Sequence, residues 1–528
     1  MSTVAASRDR YDVVVVGGGH NGLTSAALLA RAGLSVLVLE RLGRTGGAAV
    51  SAPAFTGHDV RLSRYSYLVS LMPEALMADL DLAVDLRSRR TASFTPTLRG
   101  GVPSGLHVHR PEDERTAASF AALTGGTEEY AAWQSFYGDV ERFAAGLAPT
   151  FLRPLPSEAD AAALADPQIW TDLVQRPLGE AVERRFTDDT VRGVVGTDAL
   201  IGTFASLHDP SLAQNRCFLY HLVGNGTGEW RVPVGGMGAV TDALLRAATG
   251  AGAEVLTGAG VSAVRPGADE VEVAWDDEAG HHAVRAGHLL SGVAPWVLRI
   301  LLGEEADEAT KPAGSQLKIN LLLERLPRLR SGADPREAFA GTLHIAEDHS
   351  QIERAYHQAA EGVLPDVLPG EVYCHSLTDP SILGSAPEGW HTMTYFGLHT
   401  PAALFADPAT RAERKDEAVR RAIAALDEHL EEPLLSCVAT DADGRPCVEA
   451  KVPQDVEADL AMPGGHIFHG DLEWPWAPGR ALLDTPARRW GVQTDHERVL
   501  LCGSGARRGG AVSGIGGHNA AQAVLEAR

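Results

Sequence analysis

The segment Gly17-Gly18-Gly19-His20-Asn21-Gly22 constrains this chain more than any other. It follows the β-branched run Tyr11 to Val16 and opens the stretch Asn21 to Ala32, which ends at Gly33. A short apolar run closed by glycines predicts a buried parallel strand. Small residues along one face, with a glycine just past the end, predict a helix. Leu34 to Leu39 predicts a second buried strand, so these pieces form a βαβ unit. In that setting each glycine has a task. Gly17 permits the tight turn, Gly19 lets the backbone approach a pyrophosphate, and Gly22 lets the helix close on the strand. The free N–H groups and dipole at the helix start attract phosphate. Glu40 lies 18 residues after Gly22, where a carboxylate accepts hydrogen bonds from ribose hydroxyls. It would repel a 2′-phosphate, which disfavours NADP.

Immediately after Glu40 comes Arg41-Leu42-Gly43-Arg44-Thr45-Gly46-Gly47-Ala48. A plain NAD site has no need of such a run. Its glycines let the chain pass a pyrophosphate and flavin side chain closely, and an arginine neutralises phosphate charge. The pattern resembles the second glycine motif of the flavin amine oxidase and phytoene desaturase superfamily, which selects FAD. At the other end, the buried run Leu500-Leu501-Cys502 leads into Gly503-Ser504-Gly505, Gly509-Gly510-Ala511-Val512 and Gly516-Gly517-His518. Arg508 occupies the last glycine place of a GxGxxG there, so this is no second nucleotide fingerprint. It reads as a flavin contact, with a helix start that stabilises charge on reduced flavin.

With 528 residues the chain exceeds what one core usually supports. The expected fold is α/β: a discontinuous, doubly wound, Rossmann-like FAD domain from 1–75, 225–300 and 495–528. An α+β substrate domain takes 76–224, largely helical, and 301–494. Pro111 to Leu222 is Ala-rich and helix-like. Strands are expected near Glu254–Leu256, Gly260–Val264, Glu270–Ala274 and Ala286–Leu290. Others are expected over Gln316–Leu323, Phe339–Ala346, Glu371–Ser376 and Val499–Cys502, with helices over Ala412–His429 and Gly517–Glu526.

Charge narrows the function classes. There are 46 basic against 69 acidic residues, a net −23, which repels nucleic acid. The five cysteines, Cys217, Cys374, Cys437, Cys447 and Cys502, form no CxxC pair. That speaks against a disulfide framework, a zinc site and dithiol chemistry. No apolar run reaches the ~18–20 residues of a membrane span. The expectation is a cytoplasmic protein, with peripheral lipid contact left open.

Nearly the full length resembles bacterial phytoene desaturase-like flavoproteins, and among them the pyridine nucleotide-disulfide oxidoreductase domain-containing protein 2 branch. The carrying segments, besides the two glycine-rich ends, are Leu62 to Leu71, Trp230 to Gly238 and Gly464-Gly465-His466-Ile467-Phe468-His469-Gly470. The resemblance is weak in the helical block and departs at Trp474-Pro475-Trp476, a strand-like stretch with both tryptophans on one side. It implies FAD, with the backbone of Val261 near the adenine, and a lysine, here Lys318, that in amine oxidase relatives points at the flavin N5 through water. Lys318 fits a solvated strand face equally well.

Further candidates are His466 and His469, which read either as acid/base groups lining the flavin pocket or as histidines satisfied by structural hydrogen bonds to their neighbours. No third ligand stands nearby, so no metal is assigned to them. Tyr65 and Tyr67 share one face of an extended stretch. They read either as an aromatic wall beside the flavin or as packing. The expected cofactor contacts are Gly17, Gly19, Gly22, Glu40, Arg41, Arg44, Gly46, Gly47, Ala48 and Val261. Gly503, Ser504, Gly510, Val512 and Gly517 join them from the C-terminal end. Three functions fit: a dehydrogenase or desaturase of an apolar, isoprenoid-like small molecule; an amine or amino-acid oxidase, favouring a charged anchor such as an arginine; or a flavin-binding regulatory protein. O2 or a quinone is the expected electron acceptor.

Overall fold

The computed structural model describes residues 6–528. Strand β1 (Arg10–Val16) passes through the glycine turn into helix α1 (His20–Arg31) and strand β2 (Val36–Glu40). Strands β3 (Thr91–Arg99) and β4 (Val102–His109) form a hairpin. A helical block follows, including α2 (Glu128–Leu147), α3 (Asp189–Thr197) and α4 (Ala213–Val223). Helix α5 (Met237–Gly250) leads to β5 (Glu254–Thr257), β6 (Gly260–Pro266), β7 (Val271–Asp277) and β8 (Gly280–Ser291). Then come β9 (Ser315–Leu323), β10 (Thr342–Ile345), α6 (His349–Ala360), β11 (Gly370–Tyr373) and β12 (His391–Pro401). Helix α7 (Arg411–Asp427), β13 (Val448–Lys451), β14 (Val499–Leu501) and α8 (Ile515–Glu526) complete the path used below.

The first sheet runs β6-β7-β8-β1-β2-β5, with β14 also beside β8. β1 pairs in parallel with β2 and β8, and β14 pairs in parallel with β8. Alternation along β1 feeds two cores. Val13 and Val15 pack with α1, α5 and α8, while Val14 and Val16 pack against β6 to β8 and Leu298. Both faces are therefore covered, as an apolar parallel strand requires. The second sheet runs β13-β9-β12-β11-β10-β3-β4. Along β9, Leu317, Ile319, Leu321 and Leu323 enter a core that includes Ala418, Ala422 and Leu426 of α7. The residues between them face the other way. The helical block has its own aromatic core around Phe120, Phe136, Phe143 and Trp170.

Two sequence expectations need correction, and one element adds to what was expected. Within the largely helical 76–224 segment, residues 91–109 form a hairpin of the second sheet. Its turn, Gly100-Gly101, has φ of +59° and +80°, the positive-φ pair of a tight hairpin turn. Pro96 obscured the strand. It is tolerated because β3 pairs with β10 only at Ser93 and Phe94. The strand expected to reach Ser376 stops at Tyr373, where the chain turns into the short helix His375–Leu377. The stretch with Trp474 and Trp476 is no strand; the two rings stack at 5.1 Å, and Trp476 meets Trp170 at 5.1 Å. No helix among the described residues is long and apolar enough to cross a membrane.

The helical block meets the second sheet at one tight point. A Cβ on Gly193 in α3 would lie 1.6 Å from the Glu347 carbonyl oxygen. Gly193→Ala is expected to cost about 3 kcal/mol through overpacking. Gly250→Ala, with nothing within 4 Å, serves as the neutral control. Urea unfolding of both variants checks this; equal midpoints would contradict the close contact.

Candidate functional site

A cavity of about 830 Å³ opens between the two sheets and the helical block. One part is a groove over the first glycine turn. Gly17, Gly19, Gly22, Glu40, Arg41, Gly47 and Ala48 line it from one side. Val261, Gly503, Ser504, Gly510 and Val512 line it from the other. Gly17 has φ +97°, and a Cβ on Gly22 would lie 2.1 Å from the Gly17 carbonyl oxygen. A Cβ on Gly19 meets nothing within 4 Å, so its backbone borders open space. Gly19 caps α1 without a side-chain hydrogen bond, which leaves first-turn N–H groups available to an anion.

Glu40 is buried and fixed at both oxygens. Oε2 accepts from the Gly18 N–H at 2.8 Å and Oε1 from the Leu42 N–H at 2.8 Å. A carboxylate has further lone pairs, so hydroxyl donors can still bind it. The groove thus has room for a dinucleotide backbone, unsatisfied donors for phosphate and a held carboxylate for ribose. These residues fit FAD.

Three expected contacts lie off the cavity wall. Arg44 is exposed. Gly46 donates its N–H to the Gly18 carbonyl at 2.8 Å, and its φ of +113° makes it a turn residue. Gly517 packs on α1, where a Cβ would lie 2.0 Å from the Asn21 carbonyl oxygen. The two histidines also separate. His469 lines the cavity with its Nδ1 unpartnered, and burial pushes it down to about 3, so it stays neutral. His466 is buried off the wall, its Nδ1 accepting from the Phe468 N–H at 3.3 Å and its Nε2 3.8 Å from Asp471.

Beyond the groove, a row of side chains crosses the second sheet. The register pairs Lys451 with Lys318, Lys318 with Phe396, Phe396 with Glu371 and Glu371 with His344. All five face the cavity. The solvated-face reading of Lys318 is wrong, since it is only 4% exposed. Its Nζ donates to the Ser63 and Tyr65 carbonyls, both at 2.6 Å, and lies 5.0 Å from the centre of the Tyr67 ring. Burial holds its pKa well below the usual lysine value. Tyr65 donates to Asp459 at 2.8 Å, and Lys451 reaches the same carboxylate at 2.6 Å. Tyr67 and Tyr373 lie 4.7 Å apart and Tyr67 and Phe396 5.9 Å, an aromatic wall on the cavity.

The far end of the row gathers groups that the sequence did not bring together. Tyr373 donates its hydroxyl to Glu371, and His344 Nδ1 meets Glu347 Oε2 at 2.5 Å. His344, Glu347 and Glu371 have ligand atoms within 4.8 Å of one another; so do Glu183, His208 and His349 at another point. Asp198 faces the same end of the cavity. Burial raises Glu371 to about 8, Asp198 to about 6 and Glu347 well above its ordinary range. Arg89, also on the wall, donates to Trp230 O at 3.3 Å and Thr342 Oγ1 at 3.1 Å. The available signal was one polar residue inside each short apolar strand: His344 in Thr342–Ile345 and Glu371 in Gly370–Tyr373.

Family profiles match in two blocks. An NAD(P)-binding Rossmann-like domain profile covers residues 15–74, and a flavin containing amine oxidoreductase profile covers residues 76–440. An uncharacterized protein of Mycobacterium tuberculosis is 51% identical over 529 residues, covering 98% of this chain and 97% of that one. Pyridine nucleotide-disulfide oxidoreductase domain-containing protein 2 of Rattus norvegicus is 28% identical, covering 98% and 94%. A putrescine oxidase variant shares the fold, with a TM-score of 0.56 at 17% identity, covering 98% of this chain and 99% of that one.

Two outcomes are expected. Gly22→Ala should weaken FAD binding about tenfold or more, because α1 must shift off the turn; titrating apo-protein with FAD measures it, and unchanged affinity counts against the contact. Glu371 supplies the second. An acid raised on folding stabilises fully below its ordinary 4.5, and that stability is lost as pH rises through about 8. Glu371→Gln, always neutral, should therefore gain thermal midpoint over the wild type as pH rises from 5 to 8.5. A pH-independent difference would refute the buried, protonated state.

Proposed function

Since this chain belongs to the flavin-containing amine oxidoreductase family, we propose that it removes hydride from a C–H bond of a largely apolar organic molecule, as a dehydrogenase or desaturase. It is an FAD-dependent oxidoreductase. The observation behind the apolar substrate is the cavity wall beyond the groove, built from Leu71, Val108, Trp133, Val140, Val194 and Ile201. Such a wall rewards buried hydrocarbon by roughly 25 cal/mol per Å² and excludes water. An isoprenoid-like body suits it.

Bound FAD supplies the redox chemistry, taking up the hydride at N5. The chain's own residues bind and orient. Gly17, Gly19 and Gly22 leave room for the pyrophosphate, and Glu40 receives the ribose. Arg41, Gly47, Ala48 and Val261 line the same groove, with Gly503, Ser504, Gly510 and Val512 opposite. Tyr67 and Phe396 hold the substrate flat against the Lys318 end of the sheet. Lys318 is itself held in place by two carbonyls. His469, neutral and partly unpartnered, stands across the groove as an acid/base candidate. Reoxidation is assigned to O2 or a quinone, because the Gly503-Ser504-Gly505 turn, with Arg508 in the last glycine place, does not complete a second nucleotide loop. Arg89 on the cavity wall is the charged anchor an amine or amino-acid oxidase would use, and it favours that activity as a second reading.

The purified protein should carry non-covalent FAD near one per chain, released on denaturation and identified by chromatography. Anaerobic addition of isoprenoid hydrocarbons or alcohols should bleach the flavin band. Bleaching by primary amines or amino acids alone would favour the oxidase. Bound FAD that no such compound bleaches would leave the regulatory reading.

A further inference from the structure

The acidic end of the cavity is costly to maintain. Asp198 follows the last residue of α3, at the helix C-terminus, where the dipole disfavours a negative charge. Its carboxylate makes no hydrogen bond among the described residues, although the residue is half-buried on the cavity wall. Glu347 Oε1 is buried and equally without a partner. Three carboxylates thus converge, with Arg89 as the one guanidinium on the wall beside them. A buried carboxylate without a partner takes up a proton or a cation. An apolar ligand would leave this end unsatisfied, and an anionic one would be repelled.

The position of the cluster sets a length. Neighbouring strands lie ~4.8 Å apart, and Lys318 and Glu371 are two strands apart in one row, so roughly 10 Å separates them. Phe396 and Tyr67 occupy the interval, an apolar and aromatic stretch between the buried Lys318 side chain and an acidic cluster. Lys318, whose Nζ already donates to two carbonyls, offers a cation no carboxylate at its own end. Asp198 and Glu371 attract one at the other.

We propose that Asp198, with Glu371 and His344 beside it and Glu347 behind, is a subsite for the cationic head of an amphiphilic substrate. The head is a protonated nitrogen on an apolar body, and the carbon that is oxidised lies roughly 10 Å away at the Lys318 end. The nitrogen is therefore a handle and not the oxidised group. This rests on the proposed oxidation beside Lys318, but the subsite itself is a matter of binding. Each bound cation displaces a proton from the cluster. Affinity therefore falls as pH drops through about 6, where Asp198 is protonated. Arg89, His344, Glu347, Glu371, Tyr137 and Cys217 are the charged and titratable groups around that carboxylate.

Calorimetry on the FAD-loaded protein tests this with n-octylammonium, n-octanol and octanoate. Octylammonium is expected to bind at least about tenfold tighter than octanol at pH 7.5, the scale of one charge-assisted hydrogen bond, and octanoate more weakly than either. Asp198→Asn should bring octylammonium to the affinity of octanol while leaving octanol and FAD content unchanged. Equal binding of the three probes by the wild type, or an Asp198→Asn variant that keeps the ammonium preference, overturns the subsite. The head-group comparison needs no variant, so misfolding cannot mask it. Ammonium preference without flavin bleaching by any compound keeps the subsite and defeats the hydride-transfer reading. Bleaching by isoprenoids without ammonium preference does the reverse.

Discussion

Backbone packed directly on backbone around the first glycine turn is the constraint on which the rest depends. α1 starts against the carbonyl of Gly17 because Gly22 has no side chain. α8 reaches the same place because Gly517 lies against the Asn21 carbonyl. Gly503 in turn approaches the Gly292 carbonyl, where a Cβ would be 2.5 Å away. Three segments far apart in sequence thus meet within side-chain-free contacts. Methyl groups at these points would separate β1, β8 and β14 and open the groove. Glu40 then locks the turn by accepting the Gly18 N–H, so one carboxylate helps shape the loop and faces the ligand space.

The second sheet works under a different constraint. β9 and β12 are buried along their whole length, yet the face of β9 turned away from α7 is mostly polar. Leu317, Ile319 and Leu321 make an ordinary core with α7. Gln316, Lys318 and Asn320 stand on the other face, where water is largely excluded. Lys318 is tolerated because two carbonyls of the 63–65 segment accept from it. That segment follows the first glycine turn. The groove and the sheet are therefore coupled through hydrogen bonds of the buried Lys318 side chain, and displacing one disturbs the other.

Sequence legibility follows from these two constraints. Local chemistry was readable: β1, α1, β2 and Glu40 fall where spacing and glycine stereochemistry require. The helix expected over Ala412–His429 forms as Arg411–Asp427 for the same reason, a strong amphipathic period. Gly46 and Gly517 also serve a turn and the packing of α8 on α1, and a glycine needed for a turn or for helix packing looks the same in sequence as one needed for a phosphate. The β3–β4 hairpin was hidden by Pro96, harmless only because of which neighbour it lacks. The acidic end was invisible for a deeper reason. Asp198 and Glu371 come from a helix end and a four-residue strand 173 residues apart. Only cross-strand register unites Glu371 with His344, and sequence carries no record of register between distant strands.

That register gives the cavity its polarity. The sheet places a lysine at one end of a single row and acids at the other, with aromatic rings between them. Low dielectric around the row strengthens the field that each end imposes on a ligand. A symmetric hydrocarbon would be indifferent to that field and free to slide. A molecule with one charged end would be held in one direction and at one depth. Orientation by a distant group is an inexpensive way to choose among chemically similar C–H bonds, since the reacting end need make no polar contact of its own. In a pocket walled mostly by Leu, Val, Ile and aromatic side chains, the charge gradient is the feature able to select which carbon stands beside Lys318.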